Sequence, residues 1–241
     1  MKPLGTLFLI PTPLFFKSKN PPTCADFLLN HNLKTLKTLK HFVVENAKTA
    51  RAHLKGLTDL PLQELHLMEL NEHTPKKQIA DFLTPLLQGE NMGLMSEAGC
   101  PAVADPGAWL VNCAHQKNII VEPWIGASSI LLALMASGLN GQRFCFWGYL
   151  PSESQQRKMH ILKLEKESKQ NQQTQIFIET PYRNEALFES LLKHCALQTQ
   201  ICVALNLTQE TQWIKTQSVK AWQNAALPVL KNQLAVFLLL G

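Results

Sequence analysis

Short apolar runs separated by amphipathic stretches dominate the first half of this chain. Each run is short enough for a buried strand, and most are followed by apolar positions at helical spacing. The predicted strands are 7–10, 42–45, 65–70, 92–95 and 119–122. The predicted helices are 25–29, 47–55, 75–87, 106–116 and 130–136. Alternation of strand and helix predicts a parallel sheet with helices on both faces.

From Phe144 onward the pattern changes. An aromatic strand over 144–149 leads into a highly charged helix over 153–169. Further strands are predicted at 175–179, 201–205, 213–215 and 234–240, with a helix at 184–194. We therefore expect two α/β domains, 1–142 and 143–241, with a mostly parallel sheet in the first and a mixed sheet in the second.

Composition narrows the function classes only slightly. The 241 residues are 46% hydrophobic and 17% charged, which is typical of a globular chain. The net charge of +5 permits an anionic partner without requiring one. The basic residues within 34–40, 48–55 and 157–169 recur at helical spacing, which favours solvated helix faces over a nucleic-acid stripe.

The sequence lacks the patterns of several common sites and targeting segments. The six cysteines show no C-x-x-C spacing, which disfavours a structural zinc site. No stretch has signal-peptide character, and the longest uncharged apolar run, 234–240, is too short to span a bilayer. We expect a cytoplasmic protein without a membrane partner. The G-x-x-x-x-G-K-[ST], G-x-G-x-x-G and G-x-S-x-G signatures are also absent.

The segment 92–107 joins a strand end to a helix through a loop with two glycines, two prolines and two carboxylates. Two interpretations stay open at this point. In one, Asp105 only caps the helix that begins at Pro106. In the other, the loop is a rigid cradle of backbone groups for a small polar ligand. Ser96 and Glu97 are then the natural side-chain candidates.

Three further segments end strands and carry polar residues. The first, Gly126-Ala-Ser-Ser129, opens an apolar helix and is either a serine cap or a second cluster of backbone donors. The second, Glu179-Thr-Pro-Tyr-Arg183, either covers a helix end or presents Tyr182 and Arg183 to a ring. The third holds Glu45, for which a surface role is the default.

Taken together and in order, these segments resemble the tetrapyrrole methylase superfamily. Residues 96–107 resemble its S-D-A-G-x-P-x-x-x-D-P-G signature, and residues 126–129 its G-P-S-[AS] helix start. The segments 148–151, 179–183 and 207–210 resemble the G-F-L-P, E-S-P-H-R and L-T-K-x-x-E blocks of the branch that includes the small-subunit ribosomal RNA methyltransferases I. The resemblance covers nearly the whole chain.

The resemblance implies a class III S-adenosylmethionine-dependent methyltransferase of two α/β domains. It implies a homodimer, with S-adenosyl-L-methionine held in the interdomain cleft and RNA or a ribosomal subunit as substrate, methylated on a ribose 2′-hydroxyl. By strand-end position Glu45, Glu97 and Arg183 are the catalytic candidates. The cofactor-binding candidates are Ser96, Ala98, Gly99, Pro101, Asp105, Pro106, Gly107, Gly126, Ser128, Ser129, Pro181 and Tyr182.

Three positions depart from the pattern of the family. The entry loop after the first strand, 11–16, keeps Thr12 and Pro13 but has no glycine. Glu45-Asn46 stands for the family's E-D, and Glu97 for the first Asp of its signature.

Two functions other than RNA methylation are therefore kept as alternatives. A small-molecule, tetrapyrrole-like methyltransferase is disfavoured by the missing G-x-G-P-G, whereas the altered entry loop favours a non-catalytic module that binds S-adenosylmethionine.

Overall fold

The structure, a computed structural model, describes residues 3–15, 22–71 and 73–241, with only the backbone of Lys76. The last residue of the predicted entry loop, Phe16, lies outside the described residues. The chain divides into two compact units, 1–128 and 129–241. The boundary predicted from the sequence, 142/143, lies further along the chain, after the helix that opens the second unit.

The first unit contains a five-stranded, all-parallel sheet in the order β3-β2-β4-β1-β5. Its strands are β1 (Thr6–Ile10), β2 (His41–Val44), β3 (His66–Glu69), β4 (Met92–Met95) and β5 (Ile120–Pro123). The predicted strands and their parallel arrangement are confirmed. At the sheet centre, a Cβ on Gly93 would lie 2.6 Å from Ile10 Cδ1 and 2.7 Å from Phe42 Cδ1, so glycine allows these large side chains to meet.

The helices of the first unit pack on both faces of this sheet. They are α1 (Asn30–Thr38), α2 (Ala47–Leu54), α3 (Lys76–Ile79), α4 (Thr84–Leu87) and α5 (Gly107–Gln116). On one face Phe42 and Val44 pack with Leu36 and Leu54, and on the other Val43 packs with residues of the α3–α5 region. This alternation is the period-two pattern of a strand buried on both faces.

Two predicted helices of the first unit were wrong in detail. The segment 75–87 is not one helix, because a 3₁₀ turn, Ala80–Leu83, separates α3 from α4. Pro85 lies in the first turn of α4, where its missing N–H and its ring disfavour a continuous α-helix. The segment at 25–29 forms only a 3₁₀ turn, Cys24–Asp26, closed by a capping box between Thr23 and Asp26.

The second unit contains a mixed five-stranded sheet in the order β6-β7-β10-β8-β9. Its strands are β6 (Phe144–Tyr149), β7 (Thr174–Glu179), β8 (Gln200–Leu205), β9 (Trp213–Ser218) and β10 (Ala235–Leu240). Only the β6–β7 pair is parallel. The register of this pair shifts between Phe146 and Tyr149, where Gly148 adopts a φ of +67° that suits a bulge. The predicted mixed sheet is confirmed.

The helices of the second unit are α6 (Ser129–Ser137), α7 (Ser154–Asn171), α8 (Asn184–His194) and α9 (Val219–Gln223). Helix α6 packs against β8, β9 and β10, which is why the chain divides before it. The sequence places the basic residues of 157–169 on a solvated face, but Arg157 is buried. Its Nε donates to Ser190 Oγ at 3.2 Å and its Nη1 to the Ser152 carbonyl at 3.0 Å.

Candidate functional site

The loop that follows β4 is tied to the chain leaving β1. Thr12 and Gly99 form an isolated antiparallel bridge, with N–H···O distances of 2.9 and 3.1 Å. Thr12 Oγ1 donates to the Ser96 carbonyl at 3.3 Å, and Ser96 Oγ donates to the Gly99 carbonyl at 3.1 Å. Since β4 and β1 are neighbours in a parallel sheet, their carboxyl ends meet at the edge where α/β proteins place ligands.

The same loop is tied to the chain leaving β2. The backbone N–H of Glu97 donates to Glu45 Oε2 at 3.1 Å. Thr49 Oγ1, on the first turn of α2, donates to Glu97 Oε1 at 3.0 Å. Asn46 caps α2 through its side-chain oxygen, which accepts from two backbone N–H groups. The structure therefore brings the two predicted residues into contact, through the carboxylate of Glu45 and the backbone of Glu97, and Glu45 is more than a surface residue.

Asp105 closes the loop on itself. Its Oδ1 accepts from the backbone N–H of Ala102 at 2.9 Å and from that of Gly107 at 2.7 Å, and its Oδ2 also accepts from Ala102 at 2.9 Å. Burial raises the pKa of this carboxyl to about 6, and the charge of Glu45 adds to the increase. The two backbone N–H donors oppose the shift. Asp105 thus fixes both the loop and the first turn of α5.

The loop has a strained backbone and unused donors. Gly99, Ala102 and Ala104 have φ values of +81°, +65° and +59°, a region that alanine rarely adopts. Within the described residues, the backbone N–H groups of Ala98, Ala104 and Asp105 donate to no other residue. Strain of this kind persists where surrounding bonds enforce it, and it is concentrated at functional sites. The loop can therefore offer several N–H groups to an anionic ligand.

The chain leaving β5 also contacts this region. A Cβ on Gly126 would lie 2.1 Å from Pro11 Cβ, so only glycine allows the β1 and β5 exits to approach this closely. Cys100 Sγ lies 3.4 Å from the Ala127 carbonyl, to which it donates. Ser128 and Ser129 are half-buried at the start of α6.

A small cleft lies at the same edge of the first sheet. Its lining combines strand-end apolar side chains with the N-terminal end of α5, and it includes Val44, Glu45, Leu70, Leu94, Met95, Asp105, Pro106 and Gly107. Glu45 and Asp105 are the two carboxylates in this lining. Pro101, by contrast, is buried within the loop. It is therefore placed to shape the backbone rather than to contact a ligand.

The second unit carries its candidates at the carboxyl end of β7. Glu179 Oε1 accepts from Arg183 Nε at 2.8 Å and from Nη2 at 2.6 Å. The Glu179 side chain is fully buried, and that of Arg183 is 24% exposed. Glu179 Oε2 has no hydrogen-bond partner among the described residues. Of the other candidates in this turn, Pro181 is half-buried and Tyr182 is 76% exposed.

Sequence reasoning missed two residues that organise these sites. Thr49 had no signal, because only the tertiary fold brings its hydroxyl to Glu97, 48 positions away. Glu179 was noted as part of a motif, but its role as the buried partner of Arg183 was not predicted. Spacing gave no signal for this ion pair, because Glu179 ends a strand and Arg183 lies in the following turn, whereas the i, i+4 rule applies to one helix face.

Metal and membrane features are absent from the part of the chain that the structure describes. No three His, Cys, Asp or Glu side chains there could hold a metal ion together. Among the same residues, no helix combines the length and the apolar character needed to cross a membrane.

The chain is similar to known methyltransferases in sequence and in fold. No family model matches the chain. The chain is 28% identical over 221 residues to ribosomal RNA small subunit methyltransferase I of Buchnera aphidicola subsp. Schizaphis graminum, covering 90% of this chain and 72% of that protein. It is 31% identical to the protein of the same name from Halalkalibacterium halodurans, with 86% and 66% covered. It is 30% identical to that from Streptococcus pyogenes serotype M3, with 86% and 67% covered.

Solved structures show the same fold at much lower identity. The methyltransferase CobJ matches with a TM-score of 0.62 and 15% identity, covering 98% of this chain and 94% of CobJ. Cobalt precorrin-4 methyltransferase CbiF matches with a TM-score of 0.60 and 13% identity, covering 98% and 94%. Together with the relatives above, these matches confirm the predicted resemblance. The chain belongs to the ribosomal RNA small subunit methyltransferase I family of S-adenosylmethionine-dependent methyltransferases, within the tetrapyrrole methylase superfamily.

Proposed function

We propose that this protein methylates ribosomal RNA of the small ribosomal subunit, on a ribose 2′-hydroxyl. The observation that carries the proposal is the similarity to three ribosomal RNA small subunit methyltransferases I, which extends over 86–90% of this chain. The chain spans 66–72% of the length of those relatives. The loop after β4 supports the same reaction class, because its bonded backbone is suited to hold a small polar cofactor. Such an acceptor would place the protein in the cytoplasm.

The residues of the loop after β4 fit the methionine part of the cofactor. Its carboxylate would accept from N–H groups such as those of Ala98 and Ala104, which are unused within the described chain. Asp105 would hold the loop, because its carboxylate already accepts from two loop N–H groups. S-adenosylmethionine supplies an activated methyl group on a sulfonium. The protein contributes placement and exclusion of water, which can account for much of the barrier reduction.

Glu45 is the preferred residue to take the proton of the acceptor hydroxyl. Its Oε2 accepts from the Glu97 N–H, which fixes the carboxylate, and its Oε1 bonds to no other described residue. It also lines the cleft beside Asp105. Glu97 is exposed and its carboxylate accepts from Thr49, so we assign it to holding α2 against the loop. A proton acceptor must reach the hydroxyl, and Oε1 of Glu45 has that freedom.

Transfer of a labelled methyl group from S-adenosylmethionine tests the proposal. Small ribosomal subunits, naked small-subunit ribosomal RNA, transfer RNA, protein and small-molecule fractions are offered separately. We expect label in the small-subunit RNA, in dinucleotides that resist alkali because a 2′-O-methyl group blocks strand cleavage. Glu45→Gln should lower kcat by roughly 100-fold or more while cofactor affinity holds, since general-base catalysis contributes typically 10²–10⁴-fold.

Two other results would contradict the proposal. Label in the small-molecule fraction, with absorbance shifts on adding a porphyrin, would favour the tetrapyrrole-type reaction that the fold of CobJ and CbiF suggests. Tight binding of S-adenosylmethionine with no transfer to any fraction would favour a non-catalytic binding module.

We also propose that the protein is a homodimer. Leu131 and Met135 lie one turn apart on α6 and are 50% and 79% exposed in the single chain. The helix is apolar almost all round, and such helices are normally buried. A second copy of the chain would cover this face.

A further inference from the structure

The turn that follows β7 is fixed at both ends. The N–H of Arg183 donates to the Thr180 carbonyl at 2.9 Å, and the N–H of Asn232 donates to the Pro181 carbonyl at 3.1 Å. The side chain of Asn184 adds bonds to the Leu230 and Gln233 carbonyls at 3.1 and 2.8 Å. With the φ of Pro181 also restricted, the backbone that carries Tyr182 has little freedom.

Arg183 is oriented by a buried anion. Its Nε and Nη2 donate to one oxygen of Glu179, whose side chain is fully buried. A buried ion pair of this kind adds little net stability, because desolvation offsets much of the attraction. Its effect here is to hold the guanidinium in one position. The remaining nitrogen, Nη1, makes no hydrogen bond with a described residue.

Tyr182 directly precedes Arg183 in the chain and is 76% exposed. An aromatic ring next to an arginine, both on a fixed backbone, provides a face for a base and a donor for a phosphate. Proteins that recognise single-stranded RNA stack unpaired bases on such rings. The second unit carries eleven Lys and Arg residues against seven Asp and Glu, which permits contact with an anionic polymer.

We propose that Tyr182 and Arg183 form a platform for one unstacked nucleotide of the acceptor RNA, with the base on the ring and a phosphate on the guanidinium. This inference rests on the proposed function. It departs from the role that the family resemblance gives Tyr182, which is to bind the cofactor, the adenosine being the part assigned to this turn. Small-molecule sites bury most of their ligand among preformed walls, whereas this ring is open to solvent and suits a macromolecule.

The test compares RNA affinity with cofactor affinity. Binding of a short fluorescein-labelled single-stranded RNA is followed by anisotropy, and binding of S-adenosylmethionine by calorimetry. Tyr182→Ala should weaken RNA binding roughly tenfold, whereas Tyr182→Phe keeps the stacking face and should stay within about twofold. Neither change should alter cofactor affinity. Phe144→Ala is the matched control, because Phe144 is an exposed aromatic at the opposite end of the β6–β7 pair.

The phosphate contact has a separate readout. The double variant Glu179→Gln/Arg183→Gln removes the cation together with its buried partner, so no lone charge is left inside. The slope of log K against log salt should then become shallower by about 0.7, the value for one phosphate of a single strand. Tyr182→Ala should leave that slope unchanged, because stacking releases no counterion.

The outcomes separate this inference from the proposed function. Normal methylation of small-subunit RNA with unchanged RNA affinity in Tyr182→Ala would overturn the platform alone. Parallel loss of RNA and cofactor affinity would also overturn it, by assigning Tyr182 to the adenosine. Failure of the unaltered chain to bind or methylate any RNA would overturn the proposed acceptor, and the platform with it.

Discussion

At the residue scale, the carboxyl of Asp105 shows how the loop after β4 is held. It is half-buried beside Glu45 and accepts from two backbone N–H groups, and burial raises its pKa to about 6. The folded state therefore holds this proton more tightly than the unfolded chain does, where the pKa is near the ordinary 3.8. The stability that this group contributes is present below that value and is lost as the pH rises towards about 6.

Asp105→Asn should remove this pH dependence. The variant loses an acceptor oxygen and should be less stable at pH 4. The wild type should lose stability between pH 4 and about 6, whereas the variant should not, so the melting-temperature deficit of the variant should shrink by a few degrees over this range. The conversion is that about 1 kcal/mol moves Tm by roughly 2–4 °C in a chain of this size. Calorimetric scans at half-unit pH steps measure the difference. A constant difference over this range would show that Asp105 has an ordinary pKa.

At the element scale, three strand exits converge on one loop of the first unit. The exits of β1, β2 and β5 contact it through Thr12, Glu45 and Ala127, respectively. The closest approach is between the exits of β1 and β5, where Gly126 lies against Pro11. Neighbouring parallel strands bring their exits together, so a small residue at this crossing is needed for the loops to keep their positions.

Gly126→Ala should destabilise the protein, whereas Gly141→Ala should not. The new Cβ at 126 would overlap Pro11 at 2.1 Å, and overpacking of this kind costs about 1–3 kcal/mol. A Cβ at the exposed Gly141 meets nothing within 4 Å, and its φ is not in the left-handed region. The free energy of unfolding in urea distinguishes them. Equal stabilities would mean that the β1 and β5 exits can separate freely.

At the scale of the whole molecule, α6 leaves an apolar face exposed to solvent. The sequence predicts that a helix without a polar face is buried, yet Leu131 and Met135 are largely exposed in the single chain. The inner side of the helix packs on the sheet through Ala133 and Leu134. In the proposed homodimer, a second copy of the chain would bury this exposed face of α6.

Met135→Glu should convert the proposed dimer to a monomer, because a carboxylate would lose its hydration in an apolar interface. Met159→Glu is the control, since Met159 is a 59% exposed methionine on α7 rather than α6. Sedimentation velocity reports the state of each variant. A monomeric wild type, or a dimer that survives Met135→Glu, would contradict the assignment of this interface.

Prediction from sequence succeeded where the signal is local. Within the described residues, strands such as β4 and β10 were predicted because their apolar runs are continuous, whereas only the first half of β9, 213–215, was predicted because the rest of that strand is polar. The helix over 75–87 failed because Pro85 interrupts a pattern that otherwise has helical period. The family resemblance rested on ordered motifs, and the comparisons confirm it. The roles of individual site residues stay predictions.

The sequence by itself determined that there are two α/β units, with one parallel and one mixed sheet, and which family the chain belongs to, because hydrophobic period and motifs can be read along the chain. The boundary between the units was decided by the packing of α6 against β8, β9 and β10. Only the tertiary structure decided which polar groups meet. Thr12 pairs with Gly99, Thr49 donates to Glu97, and the buried carboxylate of Glu179 accepts from Arg183. The first two contacts join residues that are far apart along the chain. They exist because parallel pairing sets the strand ends side by side, and the order of strands in a sheet is not written in any single segment.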